Sequence, residues 1–300
     1  MEIGFGVPVA GGWATAGNVV AVGRRAEELG YASLWGFQRL LYPVGHPMGP
    51  VYRSVRDPLM TLGFLAGVTS RIRLGVAVVN MPFFSPVLLA KQLATLQELS
   101  GGRVDAGLGL GWLEEEFVAS GVPFAARGRR AVEFLHVLRL MWSEEIISHK
   151  GEFYEVPPSY VDPKPVTPPP VLLGGTAAPA LRRAGELADG WISSSRADLT
   201  TLPEQIYIVK EAARAAGRDP EALRFVCRGV TKIGAPGGPD RTRLTGSVDQ
   251  IRADIEALSA TGLTELFLDL NFDPAFSAVD ADPADSLRRA EEALEAFAPR

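Results

Sequence analysis

The feature that most constrains this chain is a repeated alternation of short apolar segments with segments of helical period. Ile3 to Val9 is β-rich and closes at Gly11-Gly12. Val19, Val22, Ala26 and Leu29 then recur at helical spacing, and Gly30 ends that helix. Ala32 to Phe37 reads as a second strand. Asp57-Pro58 has the chemistry of a helix start, and the helix runs to about Val68. Ile72 to Val79 is a third, almost wholly apolar strand, and Ser85-Pro86 opens a helix to Leu99. Arg103 to Trp112, RVDAGLGLGW, is the fourth strand, followed by a long helix from Ala126 to Trp142. Further strands read at Val171–Leu173, Trp191–Ser194, Arg224–Ile233 and Glu265–Leu270. Helices read at Ala177–Leu187, Pro203–Ala216, Ser247–Thr261 and Pro283–Phe297.

About eight β-then-α units in 300 residues predict an α/β fold, a (β/α)8 TIM barrel. Strands that are apolar with little alternation fit a parallel sheet covered on both faces. An open doubly wound sheet gives a similar alternation, and the count near eight favours the barrel. Residues 143–170 break the pattern. Ile146 to Val156 reads as a hairpin turning near Lys150-Gly151, and a Pro-rich tract follows. This is an insertion between the fourth helix and the fifth strand rather than a linker, because the alternation resumes beyond it. The expected organisation is a single domain over 1–300.

Ligands of such barrels bind at the C-terminal ends of the strands, and the residues there are poor in reactive groups. They include no Cys and no His or carboxylate cluster at metal-ligand spacing, so no metal is expected. His136 and His149 read as surface or structural, and His46 alone is placed to reach the mouth. Without a nucleophile or paired carboxylates, hydrolysis is disfavoured and a cofactor that carries the chemistry is favoured. Gly107, Gly109 and Gly111 mark a close approach, by a ligand or by another backbone. Gly174-Gly175-Thr176 runs from a strand straight into a helix. That is either an anion site suited to a phosphate or a plain turn with Thr176 as N-cap.

The net charge of -5 argues against nucleic acid or an anionic membrane as partner. No apolar run is long enough to span a bilayer, no leader pattern opens the chain, and the single Cys227 suits a cytoplasmic location.

With these residues placed, the chain resembles the luciferase-like flavin and deazaflavin oxidoreductases. These include bacterial luciferase-type monooxygenases and F420-dependent dehydrogenases and reductases. The resemblance covers nearly the whole chain. It rests on AEELGYASLW at Ala26–Trp35, RIRLGVAVV at Arg71–Val79 and PVLLAKQLATLQELSGGRVDAGLGLGW at Pro86–Trp112. It continues in ARGRRAVEFLHVLRLMW at Ala126–Trp142 and GGTAAPALRRAGELADGW at Gly174–Trp191.

The resemblance implies a (β/α)8 barrel with an insertion over its mouth, binding coenzyme F420 or, alternatively, FMN. It implies a non-proline cis peptide at Ala77–Val78 behind the ring, with Gly109, Leu110 and Gly111 beside it. Gly174, Gly175, Thr176 and Ala177 match the turn that grips the cofactor phosphate. Arg127 and Glu133 match a family Arg and Glu, read as an ion pair. Many F420 members end the second strand in Asp-His, where this chain has Gln38-Arg39. Many also carry a Glu where Trp112 stands. Arg39 and Gln38 are therefore the candidate catalytic residues, Arg39 as an anion stabiliser because it cannot act as a base. Trp112, Tyr42 and His46 are candidate walls of the substrate pocket, with Tyr52, Phe153 and Tyr160 beyond them.

The expected function is F420-dependent hydride transfer to or from a small hydrophobic organic substrate. The alternatives are an FMN-dependent monooxygenase using oxygen and a non-catalytic flavin-binding barrel. A small-molecule substrate is the expected partner, and a homodimer is the assembly the resemblance implies.

Overall fold

A computed structural model describes residues 1–299. Its eight barrel strands are β1 (Glu2–Gly6), β2 (Ser33–Gly36), β3 (Arg73–Val76) and β4 (Val104–Gly109). They continue as β5 (Val171–Gly174), β6 (Gly190–Ile192), β7 (Arg224–Val230) and β8 (Glu265–Asp269). Each pairs in parallel with the next, and β8 pairs in parallel with β1, which closes the barrel.

The helices are α1 (Ala16–Glu28), α2 (Pro58–Ala66), α3 (Pro86–Leu99), α4 (Arg127–Ser143) and α5 (Ala178–Leu187). They are completed by α6 (Leu202–Ala215), α7 (Val248–Ser259) and α8 (Pro283–Ala296). Thr15, Asp57, Ser85 and Asp282 each accept a first-turn N–H with the side chain, and Ser247 and Gln250 form a capping box. A Pro sits in the first turn of α2, α3 and α8, where its missing N–H is of no consequence. None of these helices is long and apolar enough to cross a membrane, among the described residues.

Two corrections concern extents. The seventh strand stops at Val230, and Lys232–Ile233 pairs instead with Thr245–Gly246 in a separate two-stranded ribbon. A short helix, Glu114–Ala119, follows β4 where the sequence pattern shows none.

The apolar core lies mainly between the strands and the helices, and a second cluster of Trp35, Ala77, Leu172, Ile192, Val226 and Phe267 fills the barrel. Trp35 stacks on Phe267 with centroids 5.2 Å apart and planes 18° from parallel. These rings fit because their neighbours are glycines: a Cβ on Gly75 would lie 2.4 Å from the Trp35 ring. Below them, buried Glu265 accepts from Trp35 Nε1 at 2.7 Å, Arg224 Nη2 at 3.0 Å, and also from Ser33 and Arg73. Asp105 accepts from Arg73 Nε at 3.1 Å and Arg224 Nη2 at 3.0 Å. Burial opposes the charge on Arg73, yet its carboxylate partners hold its pKa above the ordinary value.

The inserted hairpin pairs Ile146–Lys150 with Glu155–Tyr160. Its tip is fastened to the side of α4 by Glu133. That carboxylate accepts from His149 Nε2 at 3.1 Å and from the N–H groups of Glu152, Phe153 and Tyr154 at 3.1, 3.0 and 2.8 Å. The expected Arg127–Glu133 ion pair does not form. Arg127 instead donates to Phe124 O at 3.2 Å and lies over the Phe124 ring. Burial alone would push the Glu133 carboxyl up. Hydrogen bonds from His149 and from the N–H groups of Tyr154 and Phe153 outweigh it and hold it below 4.5.

Glu133→Ala leaves three hairpin N–H groups without their acceptor and should cost about 1–3 kcal/mol in urea unfolding at neutral pH. A depressed carboxyl contributes stability above its unfolded pKa and loses it as pH falls through the lower folded value. The difference between the two proteins should therefore shrink below about pH 4.5.

Candidate active site

The mouth of the barrel is organised by a bulge. After β3 the Ala77–Val78 peptide is cis, and Val79–Asn80 then pairs with Leu108–Gly109 of β4. The two backbones come close enough that a Cβ on Gly107 would lie 1.9 Å from Val76 O. The Val78 side chain nests between two other glycines, where a Cβ would meet it at 2.5 Å on Gly109 and 3.1 Å on Gly174. The close approach signalled by the β4 glycines is therefore first of all protein on protein. Gly109, Leu110 and Gly111 still line the cavity that opens above the bulge.

That cavity encloses about 450 Å³. Among the described residues its charged lining groups are Arg39, Arg196 and Arg228, with no carboxylate and no imidazole. Arg228, on β7, is 7% exposed; its Nε donates to Asp269 Oδ2 at 2.7 Å and its Nη1 to Ala77 O at 3.1 Å. Asp269 is oriented by Asn271, which donates to Oδ1 from its backbone N–H at 3.0 Å and from Nδ2 at 2.8 Å. Arg39 and Glu116 form a buried ion pair at 2.7 Å, and Glu116 also accepts the Leu40 N–H at 2.7 Å. The Arg39 guanidinium lies 4.9 Å from the Tyr52 ring centre and 4.7 Å from that of Trp112.

Gln38 accepts the Asn80 N–H at 2.9 Å, while its buried Nε2 has no partner among the described residues. Ser193, Ser194, Ser195 and Arg196 complete the wall, with Tyr52 Oη 3.3 Å from Ser195 Oγ. Cys227 lies outside the lining, and burial pushes its thiol up to about 12, which makes it inert as a nucleophile.

At the opposite wall Gly174, Gly175 and Thr176 lead into α5. Gly175 has φ +139°, a Cβ there would meet Ala180 at 2.6 Å, and its carbonyl accepts from Trp191 Nε1 at 2.8 Å. Thr176 is not the N-cap; Ala177 is, and no side chain caps the helix. Pro179 has no N–H and Ala180 donates to Ala177 O at 2.8 Å, so in the first turn of α5 the Ala178 N–H is the one left for a ligand, which fits an anion.

The structure gathers Gln38, Arg39, Ala77, Val78, Gly109, Leu110, Gly111, Trp112, Gly174, Gly175 and Thr176 around one cavity. It leaves Ala177, Tyr42 and His46 outside the lining. Tyr42 Oη donates to Met48 O at 2.7 Å, and His46 Nδ1 accepts the Met48 N–H at 3.2 Å, so both side chains brace their own loop. His46 shares an outer recess with Trp112 and Glu115. None of residues 143–170 lines the mouth: Phe153 lies near Arg129 and Arg130, and Tyr160 is exposed. Arg228 and Glu116 escaped the sequence reading, whereas Asn80 and Arg196 fall among the strand ends it placed at the mouth. The signal for Arg228 was available, since arginines at 224 and 228 and carboxylates at 265 and 269 share a four-residue spacing in adjacent apolar strands.

The family profile of the luciferase-like monooxygenases matches residues 3–237. An uncharacterized protein of Mycobacterium tuberculosis is 34% identical over 267 residues, covering 80% of this chain and 92% of its own. The F420-dependent hydroxymycolic acid dehydrogenase of the same organism is 29% identical over 242 residues, covering 78% of this chain and 65% of its own. Among solved structures, the monooxygenase RslO1 from Streptomyces bottropensis superposes with a TM-score of 0.80 at 21% identity, covering 99% of this chain and 98% of that one.

Arg39→Ala strands the Glu116 carboxylate in the interior and should lower unfolding free energy by about 3–5 kcal/mol. Converting the pair together, Arg39→Met with Glu116→Leu, should recover much of that loss in the same denaturation assay.

Proposed function

The chain belongs to the luciferase-like monooxygenase family, and from that premise we propose that it is a coenzyme F420-dependent oxidoreductase. It moves a hydride to or from a small hydrophobic organic substrate. The observation that carries this reading is the combination within one cavity of unspent donors with no acid–base pair. Gln38 Nε2 is buried without a partner, and the first turn of α5 is uncapped. Among the described residues no carboxylate or imidazole lines the space between them. Such a lining binds and orients a ligand that brings its own chemistry. The similarity to an F420-dependent dehydrogenase supports the deazaflavin over FMN.

Each wall has a task under this reading. The Gly174–Thr176 turn and the Ala178 N–H at the start of α5 hold the cofactor phosphate. The Ala77–Val78 bulge and the Gly109–Gly111 segment bound the ring, and Gln38 Nε2 donates to its edge. When bound, the deazaflavin supplies a two-electron hydride acceptor and donor. Trp112, Tyr52 and Phe37 give the substrate an aromatic wall and keep water from the reacting face. Arg39, ion-paired with Glu116, presents a guanidinium that polarises the substrate rather than taking a proton from it. Tyr52, paired with Ser195, is the lining hydroxyl placed to pass a proton.

A second reading, an FMN-dependent monooxygenase, draws support from the structural similarity to RslO1. Titration of the protein with F420 and with FMN, followed by fluorescence quenching, should give saturable F420 binding tighter than about 100 μM, or about -5.5 kcal/mol. Binding of FMN alone, with an oxygen-dependent product on mixing the reduced complex with air, would replace this reading by the monooxygenase. Absence of binding by both would leave a barrel without flavin chemistry. Gly175→Asp should abolish cofactor binding, since it places a charge at the anion turn and a Cβ 2.6 Å from Ala180.

A further inference from the structure

Resting on the reading that a flavin or deazaflavin ring occupies the mouth, we propose that Arg228 binds that ring through Nη2 and stabilises its reduced form over its oxidised form. Of the three arginines lining the cavity, Arg39 is committed to Glu116 and Arg196 is exposed at the rim. Arg39 also keeps a buried Nε without a partner among the described residues, but Arg228 is the incompletely used buried arginine that reaches the bulge carbonyl. Nε is taken by Asp269 and Nη1 by Ala77 O, the carbonyl of the bulge that backs the ring. Nη2 has no protein acceptor among the described residues, while the residue itself lines the cavity.

The surroundings fix this donor and strengthen it. The guanidinium lies 4.5 Å from the Phe37 ring centre and 4.6 Å from that of Phe272. Asp269 aligns it from one side and is itself held by Asn271. The donor is therefore preorganised in apolar surroundings, where a charge-assisted hydrogen bond is worth more than in water. Hydride transfer moves two electrons and one proton from a substrate C–H to the ring. The substrate then releases a second proton to solvent, and the ring is left one unit more negative than before. A fixed cation with a free N–H at that place favours the charged product and raises the ring's reduction potential. Asp269 opposes it and sets how far.

The test compares wild type with Arg228→Met, Arg228→Lys and Asp269→Asn, each titrated with oxidised and reduced F420 and FMN. The midpoint potential of the bound ligand is read against an indicator dye. Arg228→Met should weaken binding of the reduced form at least tenfold more than that of the oxidised form, a fall of about 30 mV for a two-electron couple. Arg228→Lys, which keeps the charge but not the fork, should fall between. Asp269→Asn should shift the potential the other way. A folded Arg228→Met protein with the wild-type potential would overturn the proposal. Should that variant not fold, unchanged potentials in Arg228→Lys and Asp269→Asn would overturn it equally. A wild-type protein that binds neither ligand would instead remove the premise. Normal wild-type binding with insensitive variants would defeat this inference alone.

Discussion

The fold depends on a carboxylate that is entirely out of water. Glu265, the first residue of β8, accepts hydrogen bonds from the first inward residues of β2, β3 and β7 and from the Trp35 indole. Left unpaired, such a group would cost several kcal/mol. All three strands must therefore arrive in register for the barrel to close at low energy. Each shift of one residue would turn Ser33, Arg73 or Arg224 outward into the apolar layer beneath the helices. Asp105 repeats the arrangement from β4 and shares both arginines.

The same strand carries the organisation upward. Phe267, two residues on, stacks on Trp35, and glycines on β1 and β3 leave room for the two rings. Asp269, two further on, orients Arg228, and Arg228 grips the carbonyl of Ala77. One inward face of β8 thus links the ionic floor, the aromatic middle and the bulge at the mouth. The site is rigid because what holds it is the barrel's own interior.

The cavity this produces has an unusual division of labour. Its charges are largely balanced within the protein, Arg39 by Glu116 and Arg228 by Asp269. What remains for a ligand is an amide nitrogen, the free Nη2 of Arg228, an uncapped helix start and an aromatic wall. That composition suits the proposed hydride transfer, in which the ligand supplies the electrons and the protein supplies place and field. The hairpin insertion, fastened along α4 by Glu133, leaves the mouth to the loops after β2, β4 and β6.

The β-then-α alternation predicted parallel strands covered on both faces, which must be apolar and must be returned by helices, and the count near eight favoured the barrel over an open sheet. Caps such as Asp57-Pro58 and Ser85-Pro86 placed the helix starts closely, since capping is a local matter of one side chain and its next three N–H groups. The glycine segments and Gln38-Arg39 were legible as site residues from their place at strand ends. Arg228 and Glu116 were not, because each acts on a residue distant in sequence: Arg228 on Ala77 and Glu116 on Arg39. For the same reason Glu133 proved to serve the hairpin rather than Arg127, and Tyr42 and His46 proved to serve their own loop. The sequence determined which backbone positions face the mouth, since strand period and turn chemistry are local. Only the tertiary structure decided which side chains are already spent on one another and which remain for a ligand, because that depends on pairings made when the barrel closes.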